Sequence, residues 1–209
     1  MIPPTVGLLF TSVTTVMNVQ RLNHLRHWIF DMDGTLTVPS HDFPYMRRQL
    51  GMAEGDLDIL AYVARHNEAE AAQMNQWLWD YEVDLAENAE PATGAADLVQ
   101  HLHEQERKLA ILTRNDKKLA LITLQAIGLL HYFDESVILG RDEAAPKPHP
   151  AGIDHILQHW QAANDDAIMV GDYEYDLSAG RSAGVHTLLV HPKANHWPEL
   201  SDYYFEHCG

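Results

Sequence analysis

Cysteine is almost missing from this chain; the one residue is Cys208. A single thiol makes no internal disulfide, and without a cysteine cluster there is no structural zinc site of the thiolate kind. A reducing, cytoplasmic setting is therefore expected. Basic residues are also scarce, with 14 Lys and Arg against 30 Asp and Glu and a formal charge of −16. That imbalance excludes a general binder of nucleic acid or of anionic membranes, which needs a basic surface to displace counterions. No apolar run reaches the length of a bilayer span, and the chain carries no flexible Gly/Ser linker, internal repeat or low-complexity tract. An anionic ligand then needs positive charge supplied locally, and a bound cation does that.

What is present is an alternation. The 209 residues are enough for one α/β domain with room for a small accessory domain. Residues Met1 to Thr15 include Val6-Gly7-Leu8-Leu9-Phe10 but lack a positively charged start, which makes a poor secretory signal. Met17-Asn18-Val19-Gln20 resembles a more ordinary start, so residues 1–16 are expected to add little to the fold. From Trp28 onward short apolar runs (28–30, 109–112, 137–139, 167–170, 187–190) alternate with helical spacing at about 94–106, 117–127, 151–161 and 177–183. Thr93 and Asp116 are placed as N-caps of the first two helices. This predicts a doubly wound, Rossmann-like parallel sheet with both faces covered. Residues 42–91 break the pattern. They hold no convincing strand, only candidate helices at 43–50, 56–65 and 68–86, and read as a small helical cap inserted after the first strand. The expected division is an extension at 1–27, a catalytic core of 28–41 and 92–209, and a cap at 42–91.

Four stretches carry chemistry. In Asp31-Met32-Asp33-Gly34-Thr35 a buried strand runs into two carboxylates, and Gly34 lets the chain turn. Ligands of open α/β sheets bind at the carboxyl ends of the strands, where these acids fall. At the next strand end, Thr113-Arg114-Asn115 offers a hydroxyl and backbone N–H groups at a helix start, a cradle for phosphate. Farther on, Pro146-Lys147-Pro148 fixes a positive charge between prolines, and Gly171-Asp172-Tyr173-Glu174-Tyr175-Asp176 puts a third carboxylate at a strand terminus. Taken singly, each has a plainer explanation as a turn or a helix cap.

Together and in this order, the pieces resemble the four motifs of the haloacid dehalogenase superfamily: Asp-x-Asp-Gly-Thr, a strand ending in Thr, a lysine, and Gly-Asp-x-x-x-Asp. The resemblance spans about Trp28 to Val190, and Gly140-Arg141-Asp142-Glu143 is similar to the phosphoglycolate-phosphatase-like branch with a small helical cap. It implies a phosphoric monoester hydrolase using Mg²⁺. Asp31 would be the nucleophile and Asp33 the general acid and base. Thr113, Arg114, Asn115 and Lys147 would hold the phosphoryl group, with Thr113 and Lys147 also catalytic. The metal would lie on Asp31, Asp172 and the backbone carbonyl of Asp33. Asp176 would act from the edge of the metal shell or orient Lys147, and Gly34 would support the turn. The expected partner is a small phosphorylated metabolite, with the protein a monomer or homodimer.

Asp33 argues against the dehalogenase branch, which lacks that acid. The absence of lysine from residues 42–91 argues against phosphonate hydrolysis through a Schiff base. A phosphomutase, or a phosphate-binding protein without turnover, shares the motifs and is the alternative. Among the 14 histidines, His155 and His159 lack the Glu of a zinc-protease pattern, and His149 is read as a turn residue. Trp77, Trp79 and Tyr81 are read as the cap's own core, and Arg47, Arg48 and Arg65 as exposed cations. The segment from His196 to Gly209 is expected to pack on the core or on a second subunit.

Overall fold

Short strands that are apolar along their whole length must be covered on both faces, and the chain folds accordingly. A computed structural model describes residues 22–209; the expectation for residues 1–16 lies outside them. Six strands form one parallel sheet: β1 (His27–Phe30), β2 (Lys108–Leu112), β3 (Ile138–Leu139), β4 (Ala167–Gly171), β5 (His186–Val190) and β6 (Tyr203–Phe205). Their order is β3-β2-β1-β4-β5-β6. The chain winds outward from β1 to one edge, returns, and winds to the other, so β1 and β4 flank the switch point at which ligands bind in such sheets.

Among the described residues seven α-helices accompany the sheet: α1 (Phe43–Gln49), α2 (Ile59–Val63), α3 (Glu68–Glu87), α4 (Ala95–Glu104), α5 (Lys117–Ala126), α6 (Ala151–Trp160) and α7 (Glu174–Ala183). Trp28 and Phe30 point to the face covered by Val99 and Leu102 of α4 and Leu124 of α5. Ile29 and Met169 point to the opposite face, against Ile153 and Ile156 of α6 and Ala179 of α7. This period-two division places α4 and α5 on one side and α6 and α7 on the other.

Three local differences from the sequence expectation have clear causes. The cap of α4 is Gly94, at φ 76°, with no side-chain cap bond, so Thr93 does not hold that position; Asp116 does cap α5, accepting from the Lys118 N–H at 2.7 Å. Helix α7 begins at Glu174 rather than 177, because the Asp176 carboxylate accepts from the Tyr173 N–H at 3.1 Å and satisfies its first turn. The C-terminal aromatics form a sixth strand: β6 pairs in parallel with β5, and Tyr203, Phe205 and Cys208 pack on the α4–α5 side. Leu22 and Leu25, which precede β1, are buried in that same layer.

The helices of residues 42–91 keep a small apolar cluster of their own, built on Met46, Leu50, Val63 and Leu78 with Trp77 and Tyr81 packed against it. The chain leaves for this segment and returns from it through one antiparallel pair. The Val38 N–H donates to Glu90 O and the Ala92 N–H to Leu36 O, both at 2.9 Å. Helix α3 also lies against α5 of the sheet layer.

Candidate active site

Sheet register decides which residues can meet. Phe30 is level with Ile111 of β2 and Val170 of β4, so Asp31 leaves the sheet between the ends of its two neighbours, near Thr113 and Asp172. The Asp31 N–H still donates to Val170 O at 2.8 Å, which keeps the first residue past the strand in the sheet's frame. The turn that follows is tight: the N–H groups of Thr35, Leu36 and Thr37 all point at Met32 O. Gly34 sits at φ 93°, and a Cβ there would run into the Asp172 carboxylate. Only glycine allows both that backbone and that approach.

Lys147 arrives from the loop before α6 and is buried, with its ammonium 2.5 Å from Asp31 Oδ1 and 2.6 Å from Asp176 Oδ1. Asp31 and Asp176 are buried as well. One carboxylate oxygen from each of Asp31, Asp172 and Asp176 lies within 4.8 Å of the others. Burial pulls the Lys147 pKa down, but Asp176 and Asp31 more than offset it, and the net direction is upward. Burial pushes the Asp31 carboxyl well up; Lys147 pulls it back, while Asp176, Asp172 and Asp33 push the same way as burial. Asp172 is raised to about 7, first by burial and then by the charge of Asp176. One lysine cannot balance this many acids, and carboxylate oxygens in such surplus are the donor set a hard divalent cation takes.

The remaining candidates divide. Thr113 is buried at the end of β2, and its Oγ1 accepts from the Asn115 N–H at 3.0 Å. The Arg141 N–H donates to Asn115 O at 2.9 Å, tying the 140–143 turn to this loop. The Asp33 side chain stands outside the buried trio, faces a cleft with Asn115 and Glu82, and is 3.9 Å from His41 Nδ1. The Arg114 guanidinium turns toward the helical segment, 3.9 Å from Asp58 and 4.9 Å from the centre of the Tyr175 ring. His41 and Glu82 are neighbours of the site that motif spacing does not single out, and Arg141, of the 140–143 stretch, stands 3.8 Å from Glu82. Glu82 had one visible signal, a charged residue in the stripe of Leu78 and Ala86 on α3. Cys208 is not part of the site. It packs by the Thr35 carbonyl, with Sγ 3.6 Å away, and burial pushes its thiol up to about 12, so it holds its proton.

A family model described as haloacid dehalogenase-like hydrolase matches residues 52–190. An uncharacterized hydrolase of Saccharomyces cerevisiae is 30% identical over 187 residues, covering 88% of this chain and 85% of its own. A pyrophosphatase of Listeria welshimeri is 28% identical over 182 residues, covering 78% of this chain and 81% of its own. In fold, the chain is similar to the crystal structure of a predicted phosphoglycolate phosphatase from Haemophilus somnus. That likeness has a TM-score of 0.71 at 20% identity, over 88% of this chain and 95% of the other.

Proposed function

The chain belongs to the haloacid dehalogenase-like hydrolases, and from that premise we propose that it is a magnesium-dependent phosphatase that hydrolyses a small phosphate monoester through an aspartyl-phosphate on Asp31. One observation carries the proposal: Asp31, Lys147, Asp172 and Asp176, far apart in sequence, converge at the ends of adjacent parallel strands. Relatives named as a pyrophosphatase and a phosphoglycolate phosphatase point to the same type of reaction.

Asp31, Asp172 and the backbone carbonyl of Asp33 would hold the cation, which when bound neutralises charge on the phosphoryl oxygens. The rest is done by the chain's own groups. The Asp31 carboxylate attacks phosphorus in line, forming an O–P bond as the bond to the leaving oxygen breaks. Asp33, on the cleft side, gives that oxygen a proton and later takes one from the water that hydrolyses the intermediate. Lys147 keeps Asp31 in place and faces the transferred charge, and Asp176 orients Lys147. The Thr113 hydroxyl and the N–H groups after it hold the phosphoryl oxygens. Residues 42–91 act as a cap over the core of 28–41 and 92–209, excluding water during transfer.

The test is hydrolysis of p-nitrophenyl phosphate. Release is expected to need Mg²⁺, to stop on chelation, and to fall on the order of 10³-fold or more in Asp31→Asn. No release by the native protein, or undiminished release by the variant, contradicts the proposal. With a sugar phosphate, net phosphate release separates hydrolysis from migration of the phosphoryl group.

A further inference from the structure

Glu82 of α3 has no part in that mechanism, yet it faces the same cleft as Asp33. It is only 9% exposed, and its Oε2 is shut off from solvent without a hydrogen-bond partner. The nearest cationic atom, Arg141 Nη1, is 3.8 Å away, beyond hydrogen-bond reach. A buried carboxylate oxygen with an unused acceptor is costly, and where one persists a water, an ion or a functional role accounts for it.

The charge around the cleft narrows what that ligand is. Its lining includes the carboxylates of Asp33 and Glu82 and, among the described residues, no lysine or arginine. The two arginines nearby are each opposed by a carboxylate of the helical segment, Arg141 by Glu82 and Arg114 by Asp58. Lys147 is engaged by Asp31 and Asp176. A leaving group bearing a second anion would therefore meet two acids in the lining, with His41 beside Asp33 and the two arginines each facing a carboxylate outside hydrogen-bond reach. The cleft offers about 10 Å³, room for about one water. A leaving group larger than water would need α3 displaced to enter and would meet Glu82 when the segment returned.

We infer that Glu82 determines specificity by accepting a hydrogen bond from the leaving alcohol, and that the site takes phosphate monoesters of neutral, hydroxyl-bearing alcohols rather than esters whose leaving group is anionic. This rests on the phosphatase function proposed above: Asp33 must reach the leaving oxygen, so the leaving group occupies the cleft that Glu82 lines. The Oε2 acceptor then gains its missing donor.

The experiment compares kcat/KM of the native protein and of Glu82→Gln and Glu82→Leu on four probes: glycerol 3-phosphate, a hexose 6-phosphate, phosphoglycolate and p-nitrophenyl phosphate. Thermal melting checks that the variants are folded. The native protein is expected to prefer the two hydroxyl-bearing esters over phosphoglycolate by at least about tenfold. Both variants are expected to cut the ratio of glycerol 3-phosphate to p-nitrophenyl phosphate turnover by at least about tenfold. A native preference for phosphoglycolate, which needs no variant to detect, overturns the inference. So does an equal loss on every probe in the variants. Release from no probe at all strikes the phosphatase function itself, whereas release from p-nitrophenyl phosphate without the stated preference strikes only the role of Glu82.

Discussion

At the scale of the residue, Asp172 shows how the site is balanced. Burial, and then the charge of Asp176, push its carboxyl up to about 7. A raised carboxyl pKa means the folded, metal-free protein binds this proton more tightly than the unfolded chain does. The resulting stability is full below about pH 4 and is lost as pH rises toward 7. Cation binding runs the other way, since it needs the ionised group. Calorimetric titration with Mg²⁺ is therefore expected to show binding about tenfold tighter at pH 8 than at pH 6; no change between them would remove Asp172 from the metal shell. Gly34 gives a second prediction. Gly34→Ala places a side chain at φ 93° and against the Asp172 carboxylate. It is expected to cost about 1–3 kcal/mol of stability in denaturant unfolding and to weaken Mg²⁺ binding, while Ala at the open position Gly128, also at positive φ, costs stability alone.

At this scale the sequence was most readable where chemistry forces a residue type. Asp31, Asp33, Thr113 and Asp172 lie at or just past strand ends and Lys147 in the loop before α6, and the proposed phosphoryl site would call for carboxylates, a hydroxyl and a cation there. Arg114 and Glu82 were harder to place. Arg114 follows Thr113, a position expected to help hold phosphate, but its side chain turns to Asp58 and Tyr175. Glu82 sits in a helix rich in acids, and helical spacing alone does not tell a buried carboxylate from a solvated one.

At the scale of the element, the parallel strands were legible because runs buried on both faces are continuously apolar. The strand β6 was not. Its three residues are only half-buried at the sheet edge, and a run that short carries no period. The helical segment is held by few large side chains, of which Leu78 joins α3 to the cluster of Met46, Leu50 and Val63. Leu78→Ala is expected to cost this segment about 2–4 kcal/mol. Amide hydrogen exchange is the measurement: protection is expected to drop across α1, α2 and α3 while β1, β2 and β4 keep theirs. Uniform loss over the sheet would show instead that the segment and the sheet layer open together.

At the scale of the whole molecule, one topological fact organises the function. The chain reverses its winding beside β1, which leaves three neighbouring strand ends open to the same space and brings together residues more than 100 positions apart in the sequence, such as Asp31 and Lys147. The helical segment departs from and returns to that same rim through the Val38–Glu90 and Leu36–Ala92 hydrogen bonds, so it is carried where it can cover the site. Its carboxylates at Asp58 and Glu82 face Arg114 and Arg141 of the sheet layer. No helix among the described residues is long and apolar enough to cross a membrane.

The most direct measurement is a crystal structure of the protein grown with Mg²⁺ and beryllium trifluoride, a mimic of a carboxylate-bound phosphoryl group. The beryllium is expected on a carboxylate oxygen of Asp31, with the Lys147 ammonium and the Thr113 hydroxyl on its fluorides and Asp172 on the magnesium. Beryllium bonded to any other side chain, or magnesium held away from Asp172, would contradict the account.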